Sequence, residues 1–283
     1  MNYNSAYAQS IADQLVSAIQ TKKIDVPLLP DVIHKVLSII QDPESDAAQL
    51  ANILQSDPTL SGHVMCIANS AAYTPNANLV SLQQAITRLG IVEISNITIA
   101  TSLNNKLFKA PGYESHIASI WEHSLRTALW SKEVARKQRV SVEAAFLCGL
   151  LHSIGKIVIL QTISDFRASQ DSIMGDYDLG VLFSEYQSDV SAVVANEWGL
   201  PEVITEAITY YTHFEDTPNH PETAATVQFS HQLATHMHDD VALPVDVLRT
   251  SPALQLLNLY PEDIDDLLTH ADTIAEDVKA LSL

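Results

Sequence analysis

His152 closes the apolar stretch Phe146-Leu147-Cys148-Gly149-Leu150-Leu151 and is followed by Ser153-Ile154-Gly155-Lys156. A histidine carried into an interior by an apolar helix can act as a metal ligand or a general base, and either role needs partners. Its neighbour Ser153 is a poor ligand. Further histidines stand at 123, 231, 236 and 238. Positions 231 and 238 lie two helical turns apart on one face, so His123, His152 and His231 can in principle converge as a three-nitrogen zinc site. Asp239-Asp240 adjoin the second group, however, and point to a solvated helix end for His231, His236 and His238. No metal or other cofactor is therefore expected. For His123 and His152 two arrangements are open. They line a pocket that takes an anion together with Lys156, or they are core histidines hydrogen-bonded to each other, to Ser153 or to Gln187; the second is the expectation.

Asn69, Ser70 and Tyr73 end a helix where they can meet a ligand or a partner, although amides and hydroxyls at a helix C-terminus more commonly satisfy free carbonyls. Trp198 before Gly199-Leu200-Pro201 reads as a core anchor at a helix end. Cys66 and Cys148 read as reduced, buried thiols. No Gly-rich phosphate loop, no CxxC pair and no G-x-S-x-G nucleophile turn is present.

Helices are expected to carry these residues. Apolar spacing predicts them over 5–20, 31–40, from Ser45, over 58–69 behind an Asp57-Pro58 start, from a Ser81 cap to Gly90, and over 91–108. After Pro111-Gly112 further helices are expected over 115–138, 141–152, 189–198, 201–212, 222–237 and 261–280. The β-branched run Ile154–Leu160 could be extended. The fold class is all-α, a two-part helical bundle: a helical arm over 1–23, an amino-terminal part over 24–112 and a carboxy-terminal part over 113–283.

Charge also divides the chain, at about residue 140. The net charge is -19, and Asp and Glu match Lys and Arg in number up to residue 140, so the whole imbalance lies beyond it. Such an acidic surface repels phosphate backbones and argues against nucleic-acid binding. Lys132, Arg136, Lys137 and Arg139 read as solvated cations at a helix end. The uninterrupted apolar runs fall short of the ~20 residues that a membrane span needs, and the first twenty residues lack a secretory pattern. A cytoplasmic protein without membrane contact is expected.

The order of these signals resembles the HDOD (HD-related output domain) family. The first half carries Leu29-Pro30, Asp57-Pro58-x-Leu60, Ala68-Asn69-Ser70-x-x-Tyr73 and Ser81-Leu82-x-x-Ala85-Ile86-x-x-Leu89-Gly90. The second carries Trp121-x-His123-Ser124, Ala144-Ala145-Phe146-x-x-Gly149-Leu150-Leu151-His152, Ile154-Gly155-Lys156 and Trp198-Gly199-Leu200-Pro201. The resemblance implies an amino-terminal helical part joined to a degenerate relative of the HD phosphohydrolases, which hold divalent metal through a His, a His-Asp pair and a later Asp. Here His123 and His152 match the first two ligands. Ser153 stands where the paired Asp belongs, Gln187 where HDOD sequences often carry a further His, and Tyr211 and Thr212 where paired histidines follow. The final Asp falls near Ser230-His231. The resemblance thus implies a bacterial signal-transduction module, a pseudoenzyme acting in trans on a signalling protein or a small anionic ligand. A divergent metal-dependent phosphohydrolase using His123, His152 and His231 is the alternative.

Overall fold

The computed structural model describes residues 3, 6–21, 24–42, 44–75, 79–106, 109–166 and 173–282. Of the expected arm, residues 1, 2, 4, 5, 22 and 23 lie outside these, as does the expected helix end at 108. Among the described residues every regular element is helical. The amino-terminal part comprises α1 (Ala6–Thr21), α2 (Asp31–Gln41), α3 (Ala47–Gln55), α4 (Pro58–Ala68), α5 (Leu82–Leu89) and α6 (Ile91–Lys106). The carboxy-terminal part comprises α7 (Glu114–Gln138), α8 (Val142–Leu151), α9 (Ile154–Phe166), α10 (Asp176–Glu197), α11 (Glu202–Tyr210) and a 3₁₀ segment (Tyr211–Asp216). It continues through α12 (Pro221–His238), α13 (Val245–Leu248), α14 (Ala253–Leu257), α15 (Pro261–Leu268) and α16 (Ala271–Leu281).

Capping chemistry sets several of these boundaries. Asp57 accepts from the amides of Thr59 and Leu60 at 3.1 and 3.0 Å, with Pro58 at the first helical position where no amide hydrogen is needed. Ser81 accepts from the Gln84 amide at 3.2 Å, and Gly90, at φ +91°, ends α5 in a conformation that disfavours any side chain. α3 is capped by Asp46, not Ser45, because Asp46 and Gln49 satisfy each other's backbone amides in a capping box.

Several sequence expectations are corrected. Ile154–Leu160 is helical: α9 is buried along most of its length against α7, α10 and α1, and packing on several sides overrides the β preference of its branched residues. α10 begins at Asp176, well before residue 189, because its inward face includes Asp178, Gln187 and Ser191 and shows little apolar rhythm. The expected helix over 261–280 breaks at Thr269-His270 into α15 and α16. Cys66 is exposed on α4, whereas Cys148 is buried and burial pushes its thiol up to about 12. Within Val142–Phe166 an 18-residue window has a mean hydropathy of 1.7, so by length and composition the stretch could cross a membrane, contrary to the count of uninterrupted runs. That window is 78% buried inside the protein and the stretch turns at His152-Ser153, so its apolar surface forms core.

The basic cluster is also more than solvated caps. Lys132 is buried, and its ammonium donates to both carboxylate oxygens of Glu93 on α6, at 3.0 and 2.8 Å. Lys137 pairs with Asp263 and Asp266 on α15. The first of these contacts ties the two parts of the chain together. So does Trp198, 5% exposed at the end of α10, whose indole N–H donates to the Pro27 carbonyl at 2.8 Å.

Candidate functional site

Two close helix crossings position the site. At Gly149 a Cβ would lie 2.6 Å from Ser131 Oγ and 2.7 Å from Ala128 Cα, so only glycine lets α8 approach α7 this closely. That approach sets His152, at the end of α8, beside His123 of α7, with ring centroids 5.6 Å apart. At Gly155 a Cβ would overlap the Gln187 carbonyl and lie 2.7 Å from Ser191 Oγ. There α9 presses on α10, and the Gly155 amide donates to Ser191 Oγ at 3.1 Å. This crossing aims Lys156, Gln187 and their neighbours at one cleft.

α12 supplies the third imidazole. His231 Nδ1 stands 2.8 Å from His123 Nε2 and 3.3 Å from His152 Nε2, and one ring nitrogen from each histidine lies within 4.8 Å of the others. The solvated-end reading is thus corrected for His231, because the α12 face that carries it packs on α7 and α8. His238, two turns further on, is exposed, and His236 bonds the Leu243 carbonyl at 2.8 Å.

The ring orientation of His152 follows from its neighbours. Its Nδ1 lies 2.7 Å from the Gly149 carbonyl, which can only accept, so Nδ1 carries the hydrogen and Nε2 offers a lone pair. That lone pair faces the Ser153 hydroxyl at 2.9 Å and His231. A backbone carbonyl behind a ring nitrogen is also how metal-binding imidazoles are oriented. All three rings are held neutral. Burial drives His123 down to about 2 and His231 to about 4, with the nearby Lys156 charge adding to both, and holds His152 well below the usual histidine range.

The remaining residues form the mouth. Lys156, Gln187, Tyr211 and His231 line a cleft of about 620 Å³ with no carboxylate in its wall among the described residues. Lys156 is held below the usual lysine range by burial. Gln187 does not bond the histidines; its amide donates to the Tyr211 hydroxyl at 2.6 Å. Tyr211 stacks edge-on against His152, centroids 5.1 Å apart. Sequence reasoning named Tyr211 only as a missing histidine and overlooked the Gly149 carbonyl, which the three-residue spacing to His152 at a helix end could have revealed.

Asn69, Ser70 and Tyr73 lie elsewhere. The Asn69 amide donates to the carbonyls of Met65 and Leu79 at 3.1 and 3.0 Å and accepts from the Leu79 amide at 2.7 Å, closing the loop after α4. Ser70 is half-buried in that loop. Tyr73 lies near Glu93 and Asp277, and burial foremost holds its phenol well above the usual range.

A pair of metals needs carboxylates that bridge and neutralise, and the cluster of His123, His152 and His231 carries none among the described residues, with Ser153 directly beside His152. The residues present do not fit a two-metal site. Three imidazole nitrogens are instead the donor set of a single borderline cation such as Zn²⁺, whose tetrahedral ligands stand about 3.3 Å apart; the His231–His152 separation matches this, whereas His123 and His231, at 2.8 Å, are hydrogen-bonded to each other and would have to part to take an ion.

Solved structures share this fold. An HDOD domain protein of unknown function from Geobacter sulfurreducens superposes with a TM-score of 0.76 at 21% identity, covering 96% of each chain. A Shewanella amazonensis protein provisionally assigned as a metal-dependent phosphohydrolase gives 0.73 at 17%, covering 98% of this chain and 100% of that one. A Marinobacter aquaeolei protein provisionally assigned to signal transduction gives 0.72 at 22%, covering 100% of this chain and 68% of that one. At these identities the likeness is one of fold. An uncharacterized protein of Treponema pallidum is 19% identical over 218 residues, or 74% of this chain and 42% of that protein, so the chain spans about two fifths of that relative's length. The HDOD domain model matches residues 26–214, from the segment before α2 through the Tyr211 turn, and therefore takes in both helical parts and two of the three histidines. With that match over about two thirds of its length, the chain belongs to the HDOD domain family.

Proposed function

We propose that this chain is a non-catalytic signal-transduction module that takes a small anionic ligand, such as a phosphate ester, in the cleft beside Lys156. The observation that carries this reading is the charge of the cleft. Lys156 stands largely buried beside neutral histidines, and among the described residues no carboxylate lines the space in front of it. A cation in such a place favours an anion as its partner. The same lack of carboxylates argues against phosphoester turnover by a two-metal route. Titration with inorganic phosphate and phenyl phosphate tests the reading, with binding expected and at least a ~10-fold loss in Lys156→Ala, since a charge-assisted contact is worth about 1.5–3 kcal/mol. Metal-dependent hydrolysis of phosphodiesters that disappears in His152→Ala would overturn it.

A second reading, the divergent phosphohydrolase, is favoured by one observation: the convergence of His123, His152 and His231. A single ion held there would face Lys156 with no protein carboxylate to balance either charge, so an anion is called for in this case too. Metal analysis of untagged protein, with His231→Ala as control, separates the two. Near-stoichiometric metal lost in the variant supports the second reading and justifies an activity screen. Metal-free protein that still binds phosphate supports the first.

A further inference from the structure

A second cavity lies at the end of α8 away from His152, at the junction of the two parts. Its volume is about 210 Å³, and its walls come from α2 and α6 on one side and from the starts of α8 and α11 on the other. Ile40, Ile99, Leu147 and Ile204 make most of the surface apolar. Asn96, Ser141 and Glu143 break it. Asn96, only 2% exposed, lines the cavity, and its amide nitrogen has no hydrogen-bond partner among the described residues. Glu143 lies at the rim, where its carboxylate accepts from the Ser141 hydroxyl at 2.9 Å.

These features define a ligand. A buried amide donor without a partner is unfavourable, and an acceptor brought into the cavity relieves it. The Glu143 carboxylate repels anions. An apolar cavity of ~150 Å³ is enough to hold benzene, so this one holds a ring and a short polar substituent. We propose that the junction cavity is a binding site for a small, neutral, mainly apolar molecule whose carbonyl or ether oxygen accepts from Asn96. The site is separate from the anion cleft in both place and ligand charge, and it stands whether or not that cleft binds phosphate.

Its position gives the site a consequence. α8 and α11 both start at this cavity and end at the histidine cleft, α8 in His152 and α11 in Tyr211. Ten residues of helix make α8 a rigid rod of about 15 Å. A molecule wedged between α2, α6 and the starts of these helices therefore bridges the two parts about one helix length from His152 and Tyr211, without entering their cleft.

Binding measured by saturation-transfer NMR tests the proposal with three probes: acetophenone, ethylbenzene and benzoate. Acetophenone should bind saturably, ethylbenzene about fivefold to tenfold more weakly for want of the acceptor, and benzoate not at all. Asn96→Leu should bring acetophenone and ethylbenzene to equal affinity, with thermal stability unchanged or raised because the unpartnered amide is gone. Ala144→Phe, which fills the cavity from α8, should abolish both while inorganic phosphate binding is retained. The proposal is overturned if acetophenone fails to saturate the wild-type protein, if Asn96→Leu preserves the preference for the ketone, or if phosphate displaces the probe.

Discussion

Replacing Lys132 by Met tests the contact that joins α6 to α7. The lysine side chain is 6% exposed and that of Glu93 19%, so both ends of the pair are largely removed from water. Methionine keeps the volume and removes the charge, leaving Glu93 and Asp277 facing the same interior without a cation. Asp277 already shows the strain: burial foremost, then Glu93 and Glu133, raise its carboxyl to about 6 against the opposing pull of Lys132. Breaking a buried pair on one side costs about 3–5 kcal/mol. Because water reaches part of Glu93, the lower end applies, and the Lys132 ammonium lying 5.8 Å from the Phe146 ring centre adds about 0.5 kcal/mol. A loss of about 3.5 kcal/mol is expected, read as the urea midpoint at pH 7 with an unchanged slope. Lys132→Met/Glu93→Gln should recover at least ~1 kcal/mol of it, since the uncompensated charge is removed as well. A loss below ~0.5 kcal/mol in the single variant, or no recovery in the double, would refute the account.

Gly155→Ala forces a methyl against the Gln187 carbonyl and should destabilise by about 1–3 kcal/mol through overpacking, with a further loss of phosphate affinity as Lys156 shifts; urea titration and phosphate titration check the two effects. Stability should fall with acid. The buried histidines bind protons less readily folded than unfolded, so their contribution is complete above about pH 6.5 and declines below it, by up to ~1.4 kcal/mol per pH unit for each ring. His231 ceases to contribute to the slope below about pH 4, and Asp277, raised to about 6, opposes one proton's worth of the decline. Denaturation at pH 7, 6 and 5 measures the slope, and His231→Gln should reduce it by about one proton. Asn69→Ala removes three hydrogen bonds that close the loop after α4 and should cost about 1–3 kcal/mol in the same assay, with phosphate binding unaffected.

The boundaries that were legible in the sequence are those written in local chemistry. Asp57-Pro58, Ser81 and Gly90 each act within four residues, so the sequence neighbourhood contains the whole cause. α10 was cut short because its buried face includes Asp178, Gln187 and Ser191, whose burial depends on contacts with distant elements. Ile154–Leu160 misled for the converse reason, since a β-branched run suits a strand until packing on several sides decides otherwise. The histidines divide in the same manner. His152 could be placed inside from its apolar neighbours, whereas the burial of His231 depends on which face of α12 meets α7, and the acidic pair at 239–240 drew attention to the wrong end of the helix. Lys132 looked like surface because nothing near it in sequence announces Glu93, 39 positions away.

α1 belongs by connection to the amino-terminal part, yet it buries Ala8, Ile11, Ala12 and Leu15 and packs on α9 and α10 of the other. Tyr3 extends this contact by donating to Glu185 at 2.5 Å, and Trp198 grips the return segment at Pro27. The chain thus forms a clasp, leaving the far part, crossing back and being held at the crossing. The two parts cannot separate while the clasp is closed, so heat or denaturant should open them in a single cooperative step. A single backbone cut between residues 24 and 30 would turn α1 from a tethered segment into a free peptide, and its hold would then depend on dilution.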